Sequence, residues 1–411
     1  MNKKRAAAVI LVILLAGAAA YVKLEQSRRQ VAVDEAADTE AVLDRLKALP
    51  YVSFVEEEQH PEKSNVTIHD PEAAHRGMNL YIPTPMRRAF LLDMDGKVLN
   101  TWKPTEDTLQ GQWLYSEITP DGDLILLINR VGLFRLDWDS RRAEAIVKGV
   151  YHHDFALADN GEMYVISREK ATVPIPSKKI FIVDDFISRL SPEGEITQKI
   201  SMWNLFGDQI TREVLKTIPR KSKKYAGMKD RKTLYDLFHT NTVEIVEKDT
   251  KIADKGNILI CLRNLDLIAI VDPLEERVVW SWGQGLLDRP HQPTILENGN
   301  ILIFDNGMGR DHSRVIEYDP DQGKIVWEYL ADPPEDFHSR TRGANQRLPN
   351  GNTLITESSK GRVFEVTGDG EIVWEFFNPH FGKRKKEVRR KTIYRMVRLE
   401  PASIEGLNHS R

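Results

Sequence analysis

The sequence predicts an all-β fold, a six-bladed β-propeller with an N-terminal transmembrane helix and a short helical stalk. Three observations carry this reading. Polar turns built on glycine recur between short apolar strands, in ITPDGDLILLI, ALADNGEMYVI, KIADKGNILIC, ILENGNILIFD and RLPNGNTLITE. A second signature trails them, VVWSWG, IVWEYL and IVWEFF, and sets Trp280, Trp327 and Trp374 at intervals of 47 residues. Tight Asn-Gly and Asp-Gly turns join antiparallel strands, and a period of about 45–50 residues with four strands per unit marks a propeller blade. The third observation is the N-terminus, where Lys3, Lys4 and Arg5 precede an uncharged apolar run from Ala6 to Val22.

Taken in order, residues 1–22 read as a signal anchor, with cleavage after the small residues Ala18-Ala19-Ala20 as the alternative. In either case the body lies beyond the inner membrane, in the periplasm, and no cysteine stands in this segment to take a lipid. Residues 23–75 form a stalk or linker; from Lys23 to Leu49 they are charged, free of glycine and stopped by Pro50. Residues 76–380 are the propeller. Five full units are visible, AFLLDMDGKVLNTWKP supplies the outer strands of a sixth, and a terminal strand closes the ring; a seventh blade is the alternative. Within it, residues 204–235 are helical, basic and too long for a blade hairpin. They read as a solvated loop, or as a lid whose Lys221, Lys223 and Lys224 draw in anions. Residues 381–411, with GKRKKEVRRK, are a basic C-terminal extension.

Composition narrows the function. In 411 residues, 58 basic side chains face 61 acidic ones, so net charge offers no argument for a nucleic-acid partner. Cys261 is the only cysteine, which excludes an intramolecular disulfide or a cysteine metal site.

Aligned on their turn glycines, the repeats show a shared histidine. His291 lies eight residues before Gly299 and His153 eight before Gly161. His239 lies seventeen before Gly256; removing about nine residues from the charged EKDTKIADK segment brings it into the same register. Leu114 and Gly343 hold the position in two other blades. First strands of blades line a propeller's channel, so the three imidazoles are expected to converge on the axis. A shared structural hydrogen bond between blades is the alternative cause. Three imidazoles could bind zinc, but no carboxylate or cysteine accompanies them in register. They could instead bind an anion and exchange protons near neutral pH. Arg263, on the apolar run NILICLRNLDLIAIVD, would supply the permanent cation if it is not spent on a blade carboxylate.

The motifs HHDFAL, FHTNTVEIV, ILICLRNLDLIAIVD and RPHQPTILENGNILIFDNG, with RGANQRLPNGNTLITES, resemble the bacterial arylsulfotransferase family from about Gly149 to Pro379. The resemblance implies a periplasmic six-bladed propeller that moves a sulfuryl group from an aryl sulfate donor to a phenolic acceptor without a nucleotide donor. It carries the nucleophilic histidine onto His291, which would become a transient sulfohistidine. The supporting histidines fall on His153 and His239, and the sulfate-binding arginine on Arg263. His153 is preferred to His152 because strand alternation turns His152 away from the channel. The expected chemistry is ping-pong, with no metal and no cofactor. The chain departs from the family's best-known type in that a membrane segment and a short helical stalk are expected in place of a sizeable β-rich N-terminal domain, and with one cysteine it cannot form the disulfide that some members carry near the active site. Two other classes stay open: a non-catalytic propeller scaffold in an envelope complex, and a metal-dependent hydrolase or lyase.

Overall fold

The computed structural model describes residues 60–104, 109–176, 178–218, 220–221, 234–384 and 387–400. The anchor at 1–22, most of the stalk, Lys223 and Lys224 and the rest of the insertion's centre, and the last residues of the C-terminal run lie outside the described residues. Among the described residues no helix is long and apolar enough to cross a membrane.

Six antiparallel sheets follow one another along the chain. The first blade is Gln112–Ile118, Leu124–Asn129, Gly132–Leu136 and Ala143–Lys148. The second is Tyr151–Leu157, Met163–Ile175, Lys178–Leu190 and Ile196–Ser201; its two middle strands run on past the blade as one long hairpin, and Lys178–Leu190 alone pairs, in parallel, with Leu234–Asp236. The third is Thr240–Ile245, Ile258–Leu262, Leu267–Asp272 and Arg277–Trp282, and the fourth His291–Ile295, Ile301–Asp305, Arg314–Asp319 and Lys324–Tyr329. The fifth is Ala344–Arg347, Thr353–Glu357, Arg362–Val366 and Ile372–Phe377. In the sixth, Thr392–Leu399 lies innermost, followed by Met78–Thr84, Ala89–Leu92 and Val98–Trp102. Six blades are therefore present, and AFLL with VLNTW are the outer strands of the closing one.

The middle strands read as continuous apolar runs because each is covered on both faces. In the third blade Ile258, Ile260 and Leu262 pack toward the second blade's Ile166 and Ile187. Their neighbours Leu259 and Cys261 pack the other way, against Ile301 and Ile303 of the fourth. Alternation along a strand thus stitches each blade to two others.

Two boundaries differ from the sequence reading. The propeller does not end near residue 380: Phe381–Arg384 pairs with Glu387–Arg390, and Thr392–Leu399 is the strand that closes the ring. Its arginines hid it, since TIYRMVRL looks too charged for an axial strand; the structure buries those charges in pairs. Arg395 meets Asp154 at 3.1 Å, and Arg398 meets Glu365 at 2.6 Å with both side chains fully buried. The second boundary is Asn65–His69, assigned to the linker by sequence, which adds a fifth strand outside Ile372–Phe377. That strand leaves Trp374 fully buried, whereas its counterparts Trp280 and Trp327 stay half-buried.

The described part of the insertion contains two short helices, Met202–Phe206 and Arg212–Thr217, capped by the hydroxyls of Ser201 and Thr211. Phe206, Ile210 and Leu215 bury into the core shared by the second and third blades, so this stretch is packed structure and not a solvated loop.

Arg398 also bonds Asn79 Oδ1 and the carbonyl of His75, so one guanidinium joins the closing strand to the fifth blade and to the first-made strand of the sixth. Replacing it (Arg398→Ala) leaves Glu365 buried without a counter-charge. The expected cost is about 3–5 kcal/mol, read as a lowered midpoint in denaturant unfolding.

Candidate active site

The first strands of the blades do not run smoothly to their ends. Partner registers shift between Val165 and Ser167 opposite His153, between Thr240 and Thr242, and between His291 and Thr294. Such bulges re-aim side chains where a regular strand would send them into a neighbouring sheet. His153 and His239 both take the left-handed backbone conformation, at φ 63° and 51°.

His153, His239 and His291 come together as the sequence predicted, and Arg263 joins them. The His153 and His239 rings lie 4.9 Å apart, and Arg263 stands near enough to His291 for its charge to disfavour the imidazolium. The register that led to His239 needs correction, however. Ile245 pairs with Ile258 where Ile295 pairs with Ile301, so the third hairpin is longer by seven residues and not nine. Asn241 holds the position of His153 and His291, while His239 stands two residues earlier, just before its strand. Gly343 holds it in the fifth blade, at φ 122°, where a Cβ would collide with the ring of Phe304. His152 is not turned away either: the bulge breaks the alternation, and its fully buried ring meets His153 edge-on at 4.6 Å.

Each imidazole is held through Nδ1. His291 Nδ1 faces the Arg289 carbonyl at 3.1 Å and Asn306 Oδ1 at 2.6 Å. The Asn306 amide nitrogen donates to the carbonyls of Ser339 and Arg342, so only its oxygen can face the ring. Two acceptors at Nδ1 require a proton there and leave the lone pair on Nε2. His239 Nδ1 lies 2.7 Å from Asp236 Oδ2. His153 Nδ1 meets His152 Nδ1, and His152 Nε2 lies 3.5 Å from Asp185 Oδ1.

Arg168 underlies two of these supports, with Nε 2.6 Å from Asp185 and Nη2 3.5 Å from Asp236. Burial works against the Asp185 charge, but Arg168 and then His152 outweigh it and hold the carboxyl well below its usual range. The histidines go the other way. Burial, then Arg263, pushes His291 down to about 3, and burial, then Arg168, pushes His152 to about 3. Burial, reinforced by His152 and His239, lowers His153 strongly, and burial lowers His239 against the pull of Asp236. All four rings are neutral at pH 7.

Arg263 is not on the strand but on the 3-10 turn Arg263–Leu265 that follows it. Its Nη1 bonds Asn264 Oδ1 at 2.9 Å and its Nη2 meets Met308 Sδ at 3.6 Å. Among the described residues no carboxylate stands within ion-pair distance of it, and burial, then Arg289, pushes it down to about 10. A guanidinium with so little compensation is a ready anion site.

Arg168, Arg263 and Asn306 share a second register, seven residues after the turn glycines Gly161, Gly256 and Gly299. Counting forward from the turn as well as back would have found Arg168 and Asn306. Asp185 and Asp236 carry no such signal, since they come from a third strand and from the end of the insertion. Deeper along the axis, first strands of all six blades line a cavity of about 220 Å³ around Glu117, Asp154, Glu244, Gln292, Asn345 and Arg395. Burial raises Glu117 to about 7 and Glu244 to about 8. Among the described residues no group of three or more His, Cys, Asp or Glu side chains is arranged to hold a metal ion.

The family model described as Arylsulfotransferase (ASST) matches residues 121–379. No curated protein matches the chain. Among solved structures, a protein of unknown function from Bacteroides caccae is 14% identical, covering 78% of this chain and 98% of its own, at a TM-score of 0.45. A catalytically inactive virginiamycin B lyase from Staphylococcus aureus, with quinupristin, is 10% identical over 79% of this chain and 89% of its own, at 0.43. Apo AztD from Citrobacter koseri is 9% identical over 79% and 98%, at 0.40.

If Asn306 sets the charge and tautomer of His291, a carboxylate in its place stabilises the imidazolium. In Asn306→Asp the ring should titrate well above the value near 3 expected for wild type. NMR of the labelled imidazole across an acid titration reads the shift directly; equal midpoints in the two proteins would remove Asn306 from this role.

Proposed function

The chain belongs to the arylsulfotransferase (ASST) family, and on that premise we propose that it transfers a sulfuryl group from an aryl sulfate ester to a phenol through a sulfohistidine on His291. The observation that carries the reading is the lock on His291 Nδ1, which leaves a neutral imidazole with its lone pair on Nε2 near Arg263, a guanidinium with no carboxylate at ion-pair distance among the described residues. A neutral imidazole is a competent nucleophile, and a covalent intermediate divides one hard transfer into two easier ones.

In the first half-reaction His291 Nε2 attacks sulfur and the bond from sulfur to the phenolic oxygen breaks. Arg263 holds the sulfuryl oxygens and offsets their charge. The leaving phenolate needs a proton, and His239 is the ring equipped to carry one, because the Asp236 carboxylate at Nδ1 stabilises its imidazolium. Burial keeps His239 neutral; an anionic donor favours its protonation, so donor and proton enter together. The phenol leaves with that proton. In the second half-reaction the acceptor phenol returns a proton to His239 Nε2, and its oxygen takes the sulfuryl group from His291. His153, backed by His152 and Asp185, adds a polar wall to the same anion site.

Location follows from the sequence. Three basic residues ahead of the run from Ala6 to Val22 support an inner-membrane anchor with the propeller in the periplasm. Fractionation of cells producing the full chain should leave it with the membranes, removed by detergent and not by salt, and open to protease from the periplasmic side. Recovery in the cytoplasm would overturn this placement.

The intermediate is tested by intact mass. After incubation with an aryl sulfate and no acceptor, wild type should gain one sulfuryl group and release one phenol per chain, whereas His291→Asn should gain none. Equal increments on both proteins would move the nucleophile elsewhere; transfer without any increment would replace the covalent route with a direct one.

A further inference from the structure

Resting on this reading of the site, we infer that Met308 forms the wall against which the aryl ring of the donor packs, making it the residue that sets preference among aryl sulfates. Met308 is 49% exposed, yet its thioether is placed on the guanidinium that faces the anion site, 3.6 Å from Arg263 Nη2. A single exposed apolar side chain is ordinary. This one differs in being held against the arginine by the backbone.

The segment that carries it cannot wander freely. Gly307 donates to the Asp288 carbonyl at 3.0 Å, and Gly309 donates to the Asp288 carboxylate. Gly307 sits at φ 65°, where a Cβ would run into the carbonyl of His312, so only glycine permits this path. Arg310 and Arg314 then anchor the segment to Asp305, each at 2.9 Å. Asp288 lies three residues before His291 and Asp305 immediately before Asn306. Met308 is therefore fixed to the same framework as the nucleophile and the amide that orients it.

A thioether is a weak acceptor, and a sulfuryl oxygen is a strong, charged one. When the donor's anionic oxygens take Nη2, the Met308 side chain gives up that contact while remaining beside it. The ring joined to the sulfuryl group through one oxygen must lie within reach of the same point. An unbranched, polarizable side chain suits a ring of variable substitution, and sulfur–aromatic contacts add to the apolar burial.

The test is a series of 4-alkylphenyl sulfates from methyl to butyl, whose leaving groups differ little in basicity. For wild type KM should fall along the series, by up to about fourfold for each buried methylene. In Met308→Ser that dependence should flatten, and Met308→Leu should restore most of it. A Met308→Ser protein that keeps the wild-type dependence overturns the inference. Calorimetric binding of 4-alkylbenzenesulfonates, which cannot donate a sulfuryl group, reads the same wall without chemistry. If wild type moves no sulfuryl group but its sulfonate affinities rise with chain length and those of Met308→Ser do not, the transfer reading falls and the aryl wall stands. If neither protein's affinities depend on chain length, the wall falls on its own.

Discussion

One guanidinium supports most of what surrounds the channel mouth. Arg168 pairs with Asp185 and faces Asp236, and each carboxylate has a further task. Asp185 accepts the backbone N–H of Thr240, which fixes the first strand of the third blade against the second, and it stands behind His152. Asp236 orients His239, while its backbone carbonyl holds the amide of Asn264 beside Arg263. Without the arginine, two carboxylates would be buried near one another with no permanent cation between them, which low-dielectric surroundings do not tolerate. The blade interface and the imidazoles thus share one electrostatic support, and neither can be altered alone.

The site spends its positive charge selectively. Four imidazoles near two arginines would repel one another if protonated, so burial settles the matter by keeping the rings neutral and leaving the arginines charged. Neutrality suits His291, whose lone pair is then available. It suits His239 in a different way, because Asp236 keeps protonation accessible once an anion arrives. Two rings of the same kind thus differ in chemistry through a single neighbour, an amide for one and a carboxylate for the other.

The repeat of turn glycines and trailing tryptophans made the ring legible, because a propeller writes the same unit many times. His153 and His291 were legible for the same reason, and Arg263 for another, as a charge standing in an apolar run. His239 was found from a wrong count: hairpin length is invisible in a charged turn, and the nine residues removed from EKDTKIADK were two too many. Thr392–Leu399 escaped because a strand carrying arginines announces itself only when Asp154 and Glu365, distant in sequence, are known to face it. Asp185 and Asp236 were out of reach for a related reason. They act through Arg168, and a partner brought in by folding leaves no mark on spacing.

The closing strand also orders events in time. Met78–Thr84 is made early but pairs on its inner side with Thr392–Leu399, more than 300 residues later. Until that strand exists, the first hairpins present an open edge with unsatisfied backbone groups, the kind of edge on which chains join one another. Contacts so distant in sequence are slow to form, and a partly made ring lengthens the interval in which association competes with folding. The first five blades can acquire their four strands as they are synthesised, whereas the sixth waits for Thr392–Leu399; the closed channel belongs to the last moment of assembly.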